Sequence, residues 1–300
     1  MKILVTGSSG YVGSALCEKL STSFDVIGVD CLPGKYTDYV YDIGEKINKF
    51  NSILSNGDIV INCAAIRFDF GITAKEYYTH NVDKHIQFLK NIENIDLSFF
   101  LHISSLAVLD GENIPYKKEL NCDDAYKATK YIQGNIIKNE MNRSKIKYAE
   151  VLPSAIYHNT ARDDTNIGKL QQFSKYLPFI PKISEKKSLT YLPRFLIFLE
   201  FLIKTRLEGR FSTIDTPVQS VSEIINYFSK DTKKIIKIPF LKSGAMIIAY
   251  IALCIFKLTG LDLKLYPNRV KKLFRDTEYS QHSNINEKYK ELNNSSNLDY

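Results

Sequence analysis

The sequence predicts an α/β protein in which a doubly wound parallel sheet is followed by a smaller, mainly helical C-terminal part. Two observations predict this fold. In the first half, short apolar runs alternate with helix-like segments, and in the second half prolines divide the chain into shorter elements. Strands that alternate with helices are joined by right-handed crossovers, which produce a parallel sheet covered by helices on both faces.

Four apolar runs rich in Val, Ile and Phe are the predicted strands of the first half. They are Lys2–Thr6, Asp25–Asp30, Asp58–Ala65 and Ser98–Ser105. The segments between them and after them are predicted to be helical: Tyr11–Leu20, Gly44–Leu54, Ala74–Ile92 and Asp123–Met141. A further strand is expected near Tyr148–Tyr157. Continuous apolar runs are typical of strands that are buried on both faces.

The predicted organisation has three parts. Residues 1–160 form the sheet domain, residues 161–280 form a substrate-binding part interleaved with it, and residues 281–300 form a polar tail rich in Asn and Ser that is expected to fray. An apolar fraction of 44% with 24% charged residues is that of an ordinary globular protein. The composition therefore excludes a disordered or fibrous chain.

The net charge bears on the kind of binding partner, and the cysteine content bears on disulfides, metal sites and cellular compartment. The net charge of +7 comes from scattered lysines, which suits an anionic small molecule or an anionic membrane surface. No basic patch interleaved with aromatic residues is present, so nucleic-acid binding is not expected. Five cysteines without a CxxC pair indicate reduced thiols in a cytoplasmic protein, with neither a disulfide framework nor a metal site.

A glycine-rich turn, TGSSGYVG at residues 6–13, lies between the first predicted strand and the first predicted helix. Gly7 would allow a tight turn, Gly10 would let a diphosphate approach the backbone, and Gly13 would let the helix pack close to the sheet. The helix N-terminus offers N–H groups and the positive end of its dipole to the phosphates. This context predicts a Rossmann-type dinucleotide site formed by Gly7, Ser9, Gly10, Tyr11, Val12 and Gly13.

An acidic residue, Asp30, ends the second predicted strand. A carboxylate in this position binds both ribose hydroxyls and repels a 2′-phosphate, and the three residues after it include no arginine. We therefore expect NAD as the cofactor, with NADP as the less favoured alternative. The other interpretation of Asp30 is that it only caps a turn. Asp42 and Ile43 follow another short strand and are expected to receive the adenine ring.

A catalytic constellation is predicted on the helix that contains YKATK. Tyr126 and Lys130 lie four residues apart and so share one helix face. The lysine ammonium stabilises a neighbouring tyrosine phenolate, which can then take a proton from a substrate hydroxyl while hydride leaves the same carbon. Lys130 would also hold the nicotinamide ribose. The preceding strand ends at Ser105, whose hydroxyl would orient the substrate oxygen toward the tyrosine.

In order along the chain, these motifs resemble the extended short-chain dehydrogenases/reductases, in the NAD-dependent epimerase/dehydratase group. The resemblance covers about the first 160 residues and rests on TGSSGYVG, Asp30, NCAA at 62–65, Asn81, Ser104-Ser105, YKATK at 126–130 and LPSAIY at 152–157. It implies that Ser105, Tyr126 and Lys130 are catalytic and that Asn81 holds a sheet–helix junction. It also implies that the cofactor site includes Ala64, Ala65 and Pro153.

One departure from the family bears on the reaction. Members that dehydrate nucleotide sugars carry an Asp-Glu pair after the catalytic hydroxyl residue, whereas Ser105 is followed here by Leu106-Ala107. The remaining alternatives on a nucleotide-activated sugar of polysaccharide biosynthesis are 4-epimerisation through a transient 4-keto sugar and 4-keto reduction. The acidic Asp30 favours the epimerase. Candidate cations for the substrate diphosphate are Lys187, Arg194 and Arg269.

A nearly unbroken apolar segment, residues 243–256, is flanked by Lys242 and Lys257. It is shorter than the ~20 residues that span a bilayer, so a buried or an interfacial helix is expected. The three interpretations are a core helix, which is favoured, a peripheral contact with the inner face of a membrane or with a lipid-diphosphate-linked sugar, and a subunit interface. A homodimer is expected from the resemblance alone.

Two alternative hypotheses about the function stay open. A hydroxysteroid-type dehydrogenase shares the Ser, Tyr and Lys residues but needs an apolar substrate pocket, which the 243–256 segment could supply. A non-enzymatic NAD-binding scaffold would keep the fold without the chemistry. The presence of all three residues, Ser105, Tyr126 and Lys130, argues against the scaffold.

Overall fold

The computed structural model describes residues 1–46, 49–67, 71–159, 165–229, 233–261, 263, 265–279 and 287–294. The strands are β1 Lys2–Thr6, β2 Asp25–Asp30, β3 Tyr39–Val40, β4 Ile59–Asn62, β5 Phe99–Ile103, β6 Tyr148–Pro153, β7 Ala155–Tyr157, β8 Ile180–Pro181, β9 Lys186–Lys187, β10 Leu189–Tyr191, β11 Gly209–Thr213, β12 Gln219–Ser220 and β13 Ile235–Ile236. The helices are α1 Tyr11–Leu20, α2 Phe50–Ile53, α3 Ala74–Tyr78, α4 Lys84–Ile92, α5 Ala107–Gly111, α6 Cys122–Ser144, α7 Asn166–Tyr176, α8 Leu192–Thr205, α9 Val221–Ser229, α10 Leu241–Thr259, α11 Pro267–Leu273 and α12 Glu287–Asn294.

The central sheet has seven parallel strands in the order β11-β6-β5-β4-β1-β2-β3. The inner strands are buried on both faces: Leu4 packs with Phe88 of α4 and Ile137 of α6, while Ile3 and Val5 point the other way and are fully buried as well. The predicted doubly wound fold is therefore confirmed. The strand order reverses between β1 and β4, and in such sheets ligands bind outside the carboxyl ends of the strands at that point.

The chain divides into two compact units. The sheet unit contains Met1–Ser154, Leu192–Thr213 and α12, and the C-terminal unit contains Ala155–Tyr191 and the described residues from Ile214 through α11. The chain thus returns to the sheet unit with α8 and β11, because β11 pairs with β6 at the edge of the central sheet. The assignment of residues 1–160 to cofactor binding and 161–280 to substrate binding stays a prediction.

Among its described residues, the C-terminal unit has four helices and three two-stranded sheets. Helices α7 and α9 pack together, and Ile224 and Phe228 of α9 form a small core with Leu189 of β10. A second core joins β8 to α9 through Ile180 and Ile225. The strands here are only two or three residues long, so this unit is held mainly by helix packing.

Two predicted helices differ from the observed ones. The helix predicted over Gly44–Leu54 is reduced to α2, and residues 47–48 lie outside the described residues. The helix predicted over Ala74–Ile92 contains a π-helical turn, Thr79–Asp83, between α3 and α4. A π-turn inserts an extra residue into the helical repeat, and such turns are frequent at functional sites.

The polar tail is not frayed over residues 287–294, so that expectation is wrong for this stretch. Tyr289 of α12 is fully buried, and its ring centroid lies 5.5 Å from that of Phe198 in α8. The Nε of Arg194 in α8 also donates a hydrogen bond to the carbonyl oxygen of Leu292 at 3.1 Å. One aromatic side chain thus docks an otherwise polar helix. Residues 281–286 and 295–300 of the predicted tail lie outside the described residues.

Helix α10 extends beyond the apolar 243–256 segment and has its large side chains on the outside. Ala249 and Ala252 are buried, whereas the exposed fractions of Ile247, Ile251 and Leu258 are 61%, 54% and 85%. It is the one helix of the described residues that is long and apolar enough to cross a membrane. The favoured interpretation as a core helix is therefore wrong, because Ala249 and Ala252 face the protein whereas Ile247, Ile248 and Ile251 face outward.

Candidate active site

The glycine-rich turn joins the end of β1 to α1. Gly7 has φ +73°, and a Cβ on it would lie 2.9 Å from the backbone nitrogen of Ala64. A Cβ on Gly13 would lie 2.1 Å from the carbonyl oxygen of Gly7. Side chains at these two positions would therefore clash with backbone. The predicted roles of Gly7 in the turn and of Gly13 in close helix packing agree with this geometry.

The N-terminus of α1 is built to receive an anion. Its N-cap residue, Gly10, has no side chain to accept hydrogen bonds, and the first turn has no acidic residue. The first N–H groups of a helix lack intrahelical acceptors, so those of Val12 and Gly13 can bind phosphate oxygens. The predicted diphosphate-binding stretch therefore lies at the carboxyl end of β1, beside the strand-order reversal.

Asp30, at the carboxyl end of β2, is held beside this turn. Its Oδ2 accepts a hydrogen bond from the N–H of Ser9 at 3.0 Å, and its Oδ1 accepts one from the N–H of Leu32 at 3.0 Å. The second bond is the turn-capping contact that the alternative interpretation requires. The first bond places the carboxylate next to the glycine-rich turn, as a dinucleotide site requires.

Replacing Asp30 by alanine is expected to weaken NAD binding by about 10- to 100-fold, because charge-assisted hydrogen bonds contribute ~1.5–3 kcal/mol. Loss of the negative charge should also reduce the preference for NAD over NADP. Calorimetric titration with both cofactors measures both effects. Asp25→Ala, an exposed position at the opposite end of β2, is the control. An unchanged NAD-to-NADP affinity ratio in Asp30→Ala would contradict the assignment.

Asp42 follows β3 and lies beside Asp30, since the N–H of Tyr41 donates to the Asp30 carbonyl at 2.7 Å. Burial raises the pKa of Asp42, but hydrogen bonds from Lys84 and from the N–H of Gly44 outweigh it and lower the pKa overall. Its carboxylate thus already has two partners, and Ile43 is buried. The adenine-binding role of Asp42 and Ile43 stays a prediction.

The loop after β4 is attached to α6 by Asn81. The Oδ1 of Asn81 accepts a hydrogen bond from the N–H of Ile66 at 2.9 Å, and its Nδ2 donates to the Ile66 carbonyl and to Thr129 Oγ1, each at 3.3 Å. Asn81 is fully buried within the π-helical turn. Ala64 and Ala65, the residues expected beside the cofactor, precede Ile66 in this loop. These bonds agree with the junction that the resemblance implies, and a role of Asn81 in the cofactor site stays a prediction.

A hydrogen bond joins α6, which carries Tyr126 and Lys130, to the end of β5, the strand that precedes Ser105. The Nζ of Lys130 donates a hydrogen bond to the carbonyl of Ile103 at 3.4 Å, two residues before Ser105. Ser105 is half-buried, whereas Ser104 is buried, so Ser105 carries the more accessible hydroxyl. Pro153 lies at the same edge, because its carbonyl accepts a hydrogen bond from the N–H of Leu106 at 3.0 Å.

Helix α6 begins at a strong N-cap, which determines where its side chains lie. The side chain of Asn121 accepts hydrogen bonds from the N–H groups of Asp123 and Asp124 at 3.0 and 3.1 Å. Tyr126 follows one turn later and is half-buried. Its ring lies edge-on to Tyr77, with centroids 6.2 Å apart, and the Arg67 guanidinium lies 5.4 Å from its centroid.

Arg67 was missed by the sequence analysis. It lies five residues after β4, in the loop that carries Ala64 and Ala65. The only signal that could have identified it is a single cation in a loop that begins at the carboxyl end of a buried strand. Its contact with the Tyr126 ring places a positive charge beside the predicted acid/base.

The two lysines of YKATK have different surroundings. Lys127 Nζ lies 3.2 Å from a carboxylate oxygen of Asp110 and 3.2 Å from one of Asp123, so its charge is balanced. Lys130 is 1% exposed, and burial lowers its pKa to about 8, although Glu150 and Cys63 act in the opposite direction. Lys127 therefore has a structural role, and Lys130 stays the lysine that is predicted to act in catalysis.

Two of the three predicted diphosphate ligands serve the fold instead. Lys187 Nζ donates to the carbonyl of Lys272 at 2.6 Å and to that of Arg275, and burial lowers its pKa to about 8. Arg194 is buried and binds the Leu292 carbonyl. These contacts correct the expectation for both residues, because buried cations require acceptors and carbonyls at helix ends supply them. Arg269 is half-exposed with its guanidinium 5.1 Å from the Tyr266 ring centroid, and its role stays a prediction.

Comparison with known proteins places this geometry in context. Residues 3–190 match the model of the NAD dependent epimerase/dehydratase family. The chain is 21% identical over 289 residues, 92% of its length and 86% of the relative's, to the N-acetyl-alpha-D-glucosaminyl-diphospho-ditrans,octacis-undecaprenol 4-epimerase of Escherichia coli O157:H7.

Solved structures share the fold at low identity. The UDP-glucuronic acid 4-epimerase of Bacillus cereus in complex with NAD has a TM-score of 0.62 and 20% identity, over 80% of this chain and 86% of that one. The UDP-N-acetylglucosamine 4-epimerase of Methanobrevibacter ruminantium M1 in complex with UDP-N-acetylmuramic acid has a TM-score of 0.64 and 18% identity, over 79% and 86%. Both similarities agree with the doubly wound fold described above.

Proposed function

The chain belongs to the NAD-dependent epimerase/dehydratase family, and from this premise we propose that it inverts C4 of a diphosphate-linked sugar through a transient 4-keto sugar. The expectations of an enzyme and of NAD as its cofactor are confirmed by the family. The observation that carries the proposal is the position of Tyr126 and Lys130, one turn apart on α6, with Lys130 bonded to the end of β5 beside Ser105.

The residues at the carboxyl edge of the sheet fit a dinucleotide. A Cβ at Gly7 or Gly13 would collide with backbone, so the turn keeps the close approach that a diphosphate needs. The uncapped start of α1 can bind the phosphates, and Asp30 can bind the ribose hydroxyls. When bound, NAD supplies a reversible two-electron acceptor for C4 of the sugar.

Three side chains orient the substrate and transfer its proton, each with a different role. The Ser105 hydroxyl donates a hydrogen bond to the oxygen on C4 and orients it. Tyr126 takes the hydroxyl proton as C4 is oxidised and returns a proton when C4 is reduced from its opposite face, so the overall reaction is balanced. The Lys130 ammonium stabilises the Tyr126 phenolate before the first step and after the second, whereas between them Tyr126 holds the proton as a neutral phenol.

Two observations favour epimerisation over the alternatives. The names of the relatives are those of 4-epimerases. The Asp30 carboxylate disfavours the phosphorylated cofactor, which reductases more usually prefer. Dehydration is excluded by the residues after Ser105, since Leu106 and Ala107 offer no carboxylate to protonate a leaving hydroxyl.

The deciding experiment combines cofactor analysis with a substrate screen. The protein is purified, denatured and examined for released NAD by mass spectrometry, and the native protein is incubated with UDP-sugars and followed by NMR. Retained NAD with interconversion of a gluco and galacto pair supports the 4-epimerase. Consumption of added reduced cofactor by a 4-keto sugar, without bound NAD, would replace it with a reductase.

We further propose that α10 binds the surface of an anionic membrane. Its outer face presents Ile247, Ile248 and Ile251 to solvent, and no charged residue lies between Lys242 and Lys257. Over residues 241–275 the sequence has seven basic residues and one acidic residue. An exposed apolar helix among basic residues matches an anionic bilayer, whereas a second copy of this chain would bring like charges together.

The helix should lie on the bilayer instead of crossing it. On its N-terminal side, β13 pairs with β8, and on its C-terminal side α11 packs back against α10. Thr277, beyond α11, forms a bridge with Lys187 of β9. Both flanks of α10 therefore belong to one compact unit. Membrane contact at this point would suit a lipid-linked sugar diphosphate, the kind of substrate that the name of the Escherichia coli relative describes.

A double substitution on the outer face, Ile247→Glu with Ile251→Glu, is expected to reduce vesicle binding at least tenfold, because it buries two charges in the apolar boundary. Vesicle binding is measured by cosedimentation with phosphatidylcholine vesicles that contain one-third phosphatidylglycerol. Binding of the unsubstituted protein should weaken as the salt concentration rises. Tyr176→Glu, at an exposed aromatic of α7, is the control. If the unsubstituted protein does not bind vesicles, the membrane proposal is rejected. If it is also a dimer that the double substitution dissociates, α10 is a subunit interface.

A further inference from the structure

The ammonium of Lys130 is held by a glutamine that the sequence analysis did not single out. Gln133 lies one turn further along α6, is fully buried, and its Oε1 accepts a hydrogen bond from Lys130 Nζ. The second acceptor is the carbonyl of Ile103. An ammonium group has three donor positions, so these two bonds leave one position for a ligand or for the phenolate.

The amide of Gln133 is itself oriented by two neighbours. Its Nε2 lies 2.7 Å from the Nε2 of His85 and donates to the carbonyl of Ala64 at 3.5 Å. Burial, together with the Lys130 charge, lowers the pKa of His85 to about 3, so this ring is neutral at pH 7 and its Nε2 can accept. Because the Lys130 ammonium can only donate, the amide oxygen faces Lys130 and the amide NH₂ faces His85, which requires the His85 tautomer without a proton on Nε2.

His85 is brought to α6 by the irregular helix before it. It lies in the first turn of α4, directly after the π-helical turn that carries Asn81. Asn81 bonds Thr129 and His85 contacts Gln133, so both residues hold α6 from the same side. Through Ala64, Gln133 also joins α6 to the loop that is expected to pass beside the cofactor.

We propose that Gln133, oriented by His85, is a positioning residue that keeps the Lys130 ammonium protonated and aimed at the reacting tyrosine. This inference rests on the proposed role of Lys130. The amide oxygen acts as the neutral acceptor that a buried ammonium requires, and the histidine prevents the amide from rotating its NH₂ group toward the charge.

Other titratable groups around Lys130 define the background for a pH test. They lie on the neighbouring strands and helix: Glu150 of β6, Cys63 after β4, His102 of β5 and His85 of α4. Glu150 is also paired with Arg210 at 2.9 Å. Of these groups only His85 contacts Gln133, and its low pKa keeps it neutral throughout the alkaline range, so a shift of the alkaline limb between variants reports the change in the Gln133–Lys130 contact.

The test compares Gln133→Leu with Gln133→Glu in the NAD-containing enzyme. Leucine removes the acceptor, so the alkaline limb of the kcat profile should move to lower pH by about one unit and kcat should fall about tenfold. Glutamate adds a carboxylate beside the ammonium, so the limb should move to higher pH. Asn135→Asp, an exposed position on the same helix, is the matched control for the added charge and should leave the profile unchanged.

Opposite shifts in the two variants, with KM for the sugar nearly unchanged, support the positioning role, since a merely structural defect would not reverse sign. Equal profiles in both variants would overturn it, as would lowered activity without a shift. If Gln133→Leu does not fold, the single variant His85→Leu is compared with Gln133→Glu in its place. His85→Leu should then move the alkaline limb of the kcat profile to lower pH. If the unsubstituted protein neither binds NAD nor turns over a sugar, the proposed function is rejected instead.

Discussion

Replacing Tyr126 by phenylalanine is expected to reduce turnover by about 10²–10⁴-fold, the range for loss of an acid/base group. The substitution keeps the ring, so the edge-on contact with Tyr77 and the position of the Arg67 guanidinium should persist. Only the hydroxyl that exchanges a proton with the substrate is removed. NAD binding should therefore stay near that of the unsubstituted protein, because none of the residues assigned to the diphosphate or the ribose is altered.

The measurement is single-turnover and steady-state kinetics on the sugar pair identified by NMR, with NAD affinity determined in parallel. Tyr131→Phe, on another face of the same helix, controls for loss of a tyrosine hydroxyl and should retain turnover. Near-normal turnover in Tyr126→Phe would show that another group is the acid/base. An equal loss in NAD affinity would show that the substitution disturbed the cofactor site instead.

Replacing Lys130 by methionine is expected to abolish most turnover and to stabilise the fold. Burial of Lys130 lowers its pKa to about 8, which means that the folded protein disfavours the ammonium. A shift of this size corresponds to at most about 3 kcal/mol. Methionine has a similar length and no charge, but it leaves Gln133 Oε1 without its donor. We therefore expect a net gain of roughly 1–2 kcal/mol in the free energy of unfolding.

The pH dependence of this gain has a definite sign. Between the folded pKa of about 8 and the unfolded value near 10.4, the unfolded chain binds more protons at this site than the folded one. The stability contributed by Lys130 therefore rises with pH through this interval. The advantage of Lys130→Met should be complete below pH ~8 and should decline toward pH ~10. Thermal or urea unfolding of the cofactor-free proteins across this range measures it.

Lys127→Met is the matched control, three residues earlier on the same helix. Lys127 is also buried, but it is paired with Asp110 and Asp123, so its removal leaves two carboxylates without their cation. This variant should be destabilised, because two partly buried carboxylates lose their shared counter-ion. The same substitution is thus expected to act in opposite directions at the two positions. Destabilisation by both would show that the Lys130 ammonium is well solvated or paired in the folded protein.

Local features of the chain were sufficient to predict the conformation of the glycine-rich turn and of the strand and helix beside it. A glycine in the left-handed region, a helix that starts without a cap and an acid at a strand end are backbone properties of short segments. TGSSGYVG and Asp30 therefore predicted their own arrangement, and the bounds of β1, α1 and β2 agree with the prediction. Tyr126 and Lys130 were predictable for the same reason, since helical spacing alone puts them on one face.

Contacts between distant segments were not predictable in this way. Gln133, His85 and Arg67 carry no motif, and they became visible only where α4, α6 and the loop after β4 meet. Lys187 and Arg194 were expected to bind a substrate, but their partners are backbone carbonyls 85 and 98 residues away in the sequence. A cation's role depends on which acceptors surround it, and residue type does not reveal these.

By itself, the sequence determined the doubly wound sheet, the glycine-rich turn and the placement of Tyr126 and Lys130 on one helix face, because each follows from periodicity or backbone conformation within a short stretch. Only the tertiary structure decided that α10 turns its isoleucines outward, that α12 docks through Tyr289, and that Gln133 holds the ammonium of Lys130. The physical reason is that burial and hydrogen-bond partnership are properties of pairs of segments. An apolar helix or a lysine has the same sequence whether the neighbouring segment covers it or leaves it exposed.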